Sequence, residues 1–567
     1  MTREELLRIL SFVEDARSIS TEHSRLSEVD PRWKITTFTM RRHLEGRLIT
    51  ITSLAAATGA PYGTAMRRIS AMIDEGLLMK RSRSRSGKSF SIHPTNQLIR
   101  EFETYAARVK MLIGKTFGFS SEDSGGFYFG GSYMAARILP YPSVMHRGLG
   151  YGRTVRILSN ADPTFKTLSD FTSNLREFCG SELEITTLPL DELHREILTN
   201  AKARSSKYDV IALDMPWMGE MAEQGIVLPL DDLIREHRFQ HTDFYSSTWR
   251  GGQWGGRQYG VPIQPTHELL FYRKDLFETS GLEAPQTTDD VLSAARALNR
   301  SDFQLSGIVM NYGRGMPVAH SFMQTKAAFG EPIIDLPAVG SEGDFETSEL
   351  SGENYRPLVD TETGQQTAEY LAALRDFAHP DSIRCNWDMR IRLFSQGKAA
   401  ITYGWSARAS AFELDETSAA FGKVGFVPHP RGPNGRNISP IGGFVLGIPA
   451  NLSEQHVNRA WRLISYLASP ELMKWYVLNG SLVSPRFSTS ADPEVRAISP
   501  VIRTVDKMER RGQLQLWPRP PVAEFHALTR ILGEHVFEIL YGDCSIREGL
   551  ARAQNEIDAV MRAAGRY

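Results

Sequence analysis

Between Val155 and Leu213, short apolar runs of strand length alternate with amphipathic stretches of helical length, and no other feature constrains the fold as strongly. Val155 to Ser159, Leu183 to Leu188 and Tyr208 to Leu213 read as strands, with Phe165 to Phe178 and Glu192 to Ala203 as the helices between them. Alternation of this kind predicts an open α/β sheet, which takes its ligand outside the carboxyl ends of the strands. The third strand runs directly into Asp214, Pro216 and Trp217, so a carboxylate and a flat ring fall where such a crevice opens.

A chain of 567 residues has room for roughly three or four compact units. With 41% hydrophobic and 23% charged residues it reads as globular, and no stretch approaches the roughly 18 uninterrupted apolar residues of a spanning helix. Cys179, Cys385 and Cys544 lie far apart without CxxC spacing, which argues against a disulfide framework or a zinc site. No metal and no cofactor are expected. The opening MTREELLRIL carries Glu4 and Glu5 and lacks an apolar run after a basic start, so no export signal is read and a cytoplasmic location is expected. GxxxxGK[ST], HExxH and GxSxG are missing, and the carboxylate pairs Asp231-Asp232 and Asp289-Asp290 fall at helix starts, where negative charge is favourable without chemistry. No catalytic residue, and no enzyme, is expected.

Charge is unevenly spread. Residues 1–115 hold 20 Lys and Arg against 12 Asp and Glu, and the remainder 45 against 54, so the front end suits a polyanion. Residues 1–17 and 35–47 have helical spacing. Ile51 to Thr58 is a short Ala-rich helix capped by Thr52 or Ser53, ended by Gly59 and followed after Pro61 by a helix with apolar Met66, Ile69, Met72 and Ile73. Leu77 to Lys80 and Phe90 to Ile92 then flank RSRSRSGKS as a hairpin, and residues 95–113 form an amphipathic helix. This order resembles the winged helix-turn-helix of MarR-type transcription regulators. The resemblance implies operator DNA as partner, with Tyr62, Thr64, Arg67 and Arg68 in the major groove and Arg81, Arg83, Arg85 and Lys88 of the wing on phosphates or in the minor groove. It also implies a homodimer through residues 95–113, the alternative being that this helix packs on its own domain. Residues 116–152 read as a connector whose Phe127, Tyr128, Phe129, Tyr133 and Tyr141 are too aromatic for a free linker.

From residue 153 onward the wording resembles the sugar-capturing solute-binding proteins of bacterial ABC importers. The pieces are YDVIALDMPWMGEMAEQGIVLPLDDLI (208–234), GGRQYGVPIQPTHELLFYRKDLFETSGLEAPQT (255–287), FSQGKAAITYGWSAR (394–408) and ISPIGGFVLGIPANLSEQHVNRAWRLISYLASPELMKWYVLNGSLVSPR (438–486). The second piece reads as a strand at Gly260-Val261-Pro262 followed by another from Leu270 to Lys274. The implied fold class is α/β, a two-lobed periplasmic-binding-protein-like module (153–567) after a mainly helical winged helix-turn-helix domain (1–115). Lobe closure over a sugar needs flat rings for its C–H faces and charged or amide groups for its hydroxyls. The ligand-binding candidates at strand ends or in family loops are Asp214, Trp217, His267, Glu268, Tyr312, Trp387, Tyr403, Trp405, Gly442, Gly443, Phe444 and Arg486, whereas Trp461 and Trp475 lie inside amphipathic helices and read as core.

These readings converge on a cytoplasmic, dimeric, sugar- or polyol-responsive transcription regulator without a membrane partner, in which lobe closure alters DNA binding. The alternative is the solute-binding component of an ABC importer with an accessory N-terminal domain.

Overall fold

The computed structural model describes residues 6–7, 10, 12–14, 31–82, 90–117, 119–120, 127–128, 154–170, 182–300, 304–336 and 347–567. The chain divides into two compact units, Met1–Ser120 with Gly126–Tyr141, and Ser121–Gly125 with Pro142–Tyr567.

In the smaller unit, α1 (Pro31–Leu44), α2 (Ile51–Ala57) and α3 (Tyr62–Asp74) precede an antiparallel hairpin of β1 (Leu78–Ser82) and β2 (Phe90–Pro94), and α4 (Asn96–Phe117) follows. The cap of α2 is Thr50, where Thr52 or Ser53 was expected. The Ser53 N–H donates to Thr50 Oγ1 at 3.1 Å and the Thr50 N–H donates to Ser53 Oγ at 3.0 Å, so two free amides of the first turn satisfy one another's side chains. Gly59, at φ +68°, supplies the left-handed turn that separates α2 from α3. Ile35, Leu54, Ile69, Met72, Ile92 and Phe102 meet in one apolar core, each drawn from the periodic face of its element.

The larger unit opens with the expected alternation: β3 (Val155–Asn160), α5 (Pro163–Asp170), β4 (Leu183–Leu188), α6 (Leu190–Ala201) and β5 (Val210–Asp214). Residues 171–178, expected to continue the first of these helices, lie outside the described residues. β3 pairs in parallel with both β4 and β5. Then follow β6 (Val261–Arg273), β7 (Ser306–Val309), α7 (Met316–Ala328), α8 (Trp387–Ser395), β8 (Ala399–Trp405), β9 (Val424–Val427), β10 (Ser439–Gly447), β11 (Leu514–Gln515), α9 (Phe525–Tyr541) and α10 (Ile546–Ala563). The strand order is β7-β8-β6-β10-β5-β3-β4, with β9 also on β6 and β11 on β10.

β6 makes the molecule two-lobed. Val261 to His267 pairs with β10, whereas Glu268 to Tyr272 pairs with β8, so one strand leaves the first sheet and enters the second between His267 and Glu268. The two strands expected at 260–262 and 270–274 are therefore one. Its positions are buried on both faces and lack the alternation that marks a half-exposed strand, and Pro262 and Pro265 interrupt it as sequence while the ladder absorbs them in a register shift at Pro262/Gln264. Residues 428–438 return the chain from β9 to β10, and residues 516–524 lead from β11 to α9, which packs on α7.

Candidate functional site

A cleft of about 830 Å³ lies between the lobes of the larger unit. Strand ends furnish much of its wall: Asn160 closes β3, Leu188 closes β4, Asp214 closes β5 and Trp405 closes β8. Asp162, just past β3, and Arg408, just past β8, also line it, as do Trp387 and Asp388 at the start of α8 and His320 in the second turn of α7.

The charged groups are arranged in pairs. Arg519 reaches Asp214 with Nη2–Oδ2 at 2.7 Å and Nη1–Oδ1 at 3.4 Å, both side chains buried. Burial raises the Asp214 carboxyl above its ordinary range, and Arg519 opposes that rise. The same guanidinium lies 5.4 Å from the centre of the Trp405 ring. Arg408 Nη2 meets Asp162 at 3.0 Å and its Nε meets Asp388 at 2.9 Å, while Gln264 of β6 donates to the other oxygen of Asp162 at 2.8 Å. Arg314 is held by Glu534 and Glu538 of α9. His194 of α6 bonds Glu220 at 2.7 Å and stacks on His526 of α9 at 5.0 Å.

Two glycines make the floor possible. A Cβ on Gly442 would stand 2.3 Å from Arg519 Nη1 and 3.0 Å from the Trp405 ring. Gly443 has φ +100°, and a Cβ there would stand 1.9 Å from the Gln264 carbonyl oxygen. Only a bare backbone at β10 lets the crossing strand, the guanidinium and the indole converge.

Of the residues singled out in the sequence, Asp214, Trp387, Trp405, Gly443 and Phe444 line the cleft, and Gly442 lies beneath Arg519 and Trp405. The others serve elsewhere. Trp217 is buried with its ring edge-on to His194 at 4.9 Å. His267 is buried where β6 changes lobes, its backbone N–H donating to Ser406 Oγ at 3.0 Å, and burial pushes its imidazole down to about 3. Glu268 is enclosed with Arg390 and His429; burial works to raise its carboxyl, but those two partners hold it below the usual range. Tyr312 donates to the Leu371 carbonyl at 2.8 Å, and the Tyr403 hydroxyl meets that of Tyr370 at 3.3 Å, both in the core of the second lobe. Arg486 is buried over Phe244 at 3.9 Å, with Nε donating to the Ala468 carbonyl at 2.8 Å. In the smaller unit Tyr62, Arg67, Arg68 and Arg81 are exposed and Thr64 is half-buried, while Arg83, Arg85 and Lys88 lie outside the described residues, as do Phe129, Tyr133 and Tyr141. Phe127 and Tyr128 form a short strand paired with Phe119 and Ser120.

Sequence reasoning passed over Asp162, His194, His320, Arg408, Arg519 and His526. For Asn160 and Asp162 a signal existed, because Asn160 closes β3 as Asp214 closes β5, and Asp162 follows two residues on. Arg519 stands 305 positions from its carboxylate partner, and nothing local marks it.

A family model described as "Bacterial extracellular solute-binding protein" matches residues 176–474. The mannitol-binding protein of Pseudomonas aeruginosa is 24% identical over 400 residues, 68% of this chain and 87% of that protein. An ABC transporter solute-binding protein of Agrobacterium radiobacter K84 in complex with ribitol has the same fold at TM-score 0.66 and 24% identity, covering 73% of this chain and 100% of that one. A counterpart from Agrobacterium vitis S4 with bound D-mannitol gives TM-score 0.63 and 20% identity, over 73% and 99%.

These findings overturn several expectations. The matched family is extracellular, against the cytoplasmic location read from the first residues. Its relatives and fold neighbours carry names such as mannitol-binding protein, probable ABC transporter-binding protein and ABC transporter solute-binding protein, against a transcription regulator with operator DNA as partner and no membrane partner. A basic hairpin and an order of helices are generic features, and a fold order does not by itself specify a function.

Proposed function

We propose, from the premise that this chain belongs to the family of bacterial extracellular solute-binding proteins, that it captures a sugar or polyol between its two lobes and delivers it to an ABC importer. The family binds solute without transforming it. The observation that carries the proposal is the cleft itself, in which Trp387 and Trp405 stand beside the ion pairs Asp214–Arg519 and Asp162–Arg408. Indole faces cover the C–H surface of such a solute, while paired carboxylates and guanidiniums offer acceptors and donors to its hydroxyls. Relatives named for mannitol and for erythritol or L-threitol, and fold neighbours holding ribitol, D-mannitol or maltose, support the same ligand class. Asp162, Asp214, Trp387, Trp405, Arg408, Phe444 and Arg519 are the ligand-binding residues of this reading. Isothermal titration of the full chain with a panel of polyols, hexoses and disaccharides tests it. Saturable binding of at least one is expected, and no heat from any of them at millimolar concentration overturns the proposal.

For the rest of the chain we infer a winged helix-turn-helix topology over residues 1–115, a connector over 116–152 and the binding module over 153–567. The order α2, Gly59 turn, α3 and β1–β2 hairpin supports that topology. It is a statement of fold, with no partner attached. Backbone chemical shifts that gave helix, not strand, across residues 78–82 and 90–94 would overturn it.

A further inference from the structure

The ion pairs of the cleft occupy one another. Asp214 takes two guanidinium nitrogens of Arg519, Arg408 is shared between Asp162 and Asp388, and Arg314 is held by two glutamates of α9. His320 differs from them in having no partner at either ring nitrogen, whereas Arg519 lacks one only at Nε. It is 2% exposed, it lines the cleft, and neither ring nitrogen has a hydrogen-bond partner among the described residues. Its ring is positioned by carbon alone, edge-on to Trp387 at 5.4 Å and tilted against Phe525 at 6.2 Å. α7 is buried from Val318 to Ala328, so the helix that carries this imidazole is anchored on every side. His267 also has an unpartnered nitrogen, but it does not line the cleft.

A buried polar group left without a partner costs about 1–3 kcal/mol, and both ring nitrogens of His320 carry that cost at the wall of the cleft. We propose that His320 determines specificity in the cleft: a neutral imidazole that donates from one ring nitrogen, accepts at the other, and so selects hydroxyl groups on the solute. The inference rests on the sugar-or-polyol reading and deepens it. A hydroxyl both donates and accepts, so a solute hydroxyl can serve either nitrogen, and two hydroxyls well separated on one solute can serve both. A carboxylate offers acceptors only and an ammonium donors only, and either would leave one nitrogen unpaired. A site that hydrogen-bonds a substrate group rejects the analogue lacking it, because its own buried atoms are then stranded. Burial, with Arg519 from the 516–524 segment and Arg390 from α8 nearby, holds the imidazole in its neutral form well below the ordinary histidine range.

The test titrates the full-length wild type, His320→Gln and His320→Leu with D-mannitol, ribitol and D-gluconate, alongside thermal unfolding of each variant without solute. Gln keeps one donor and one acceptor, and Leu keeps only volume. Support consists of polyol affinity lost by about 10- to 100-fold in His320→Leu but by less than about 5-fold in His320→Gln, with wild type favouring the polyol over the acid. Equal losses in both variants, or undiminished binding in His320→Leu, overturn the role of His320 and leave the polyol reading standing. Wild type that binds no polyol or sugar removes both. Should His320→Leu fail to fold, nitrogen shifts of histidine-labelled wild type decide: D-mannitol must move the His320 ring resonances, and unmoved resonances at saturation overturn the inference.

Discussion

At the scale of single residues, the site depends on groups that cannot be removed singly. Arg519 neutralises a carboxylate that burial disfavours, so Arg519→Ala leaves Asp214 buried without its counter-charge; a loss of about 3–5 kcal/mol in chemical unfolding is expected, with loss of ligand binding. Gly442→Ala leaves every ion pair chemically intact but drives a methyl into Arg519 and Trp405; the expected outcome is weaker ligand affinity with a smaller loss of stability, measured by titration and unfolding of the same variant. His267 titrates oppositely to a paired histidine. Its folded-state value of about 3 lies below its ordinary 6.5, so the unfolded chain takes up the proton first. Its contribution is therefore fully present above about pH 6.5 and falls by roughly 1.4 kcal/mol per pH unit as pH drops toward 3. Unfolding of His267→Gln should lack that part of the acid slope, and an unchanged slope would refute the assignment.

At the scale of elements, β6 decides the architecture. It serves two sheets in one continuous run, and Gln264 ties it to the first lobe by donating to Asp162 at 2.8 Å and accepting from the Thr164 N–H at 3.2 Å. Gln264→Ala leaves the Thr164 N–H without its acceptor and Asp162 with Arg408 as its remaining partner, so a destabilisation of about 1–3 kcal/mol is expected, with faster amide exchange at the start of α5. An unchanged exchange pattern there would show that the strand is held by its ladder alone. The elements of the first sheet were legible from composition within each segment, because alternating apolar runs and amphipathic stretches are local signals. β6 was legible only in halves: its prolines punctuate the sequence, whereas the paired ladders on either side carry it through. The cap of α2 was misplaced by two or three residues for a similar reason, since Thr50, Thr52 and Ser53 are alike as residue types and only the reciprocal hydrogen bonds distinguish them.

At the scale of the whole molecule, binding in a cleft that exists only in the folded state adds to stability by mass action. A solute at about 100 times its Kd raises the apparent unfolding free energy by about 2.7 kcal/mol, and removing it by dialysis should return the melting temperature to its starting value. A sugar or polyol that binds by calorimetry yet leaves the melting temperature unchanged would be inconsistent with capture in the cleft. The front end teaches the opposite lesson about scale: a net charge and an order of helices were read as a partner, and the opening residues as a compartment, and the family to which the chain belongs corrects both. What the sequence determined alone was the α/β class, the two-lobed family and the strand-end positions Asp214 and Trp405, because these follow from periodicity and local wording. Tertiary structure decided which charges meet and which are left over. Asp214 and Arg519 lie 305 positions apart, and the unpartnered state of His320 is a property of its neighbours on α8 and α9, not of any residue beside it in the chain.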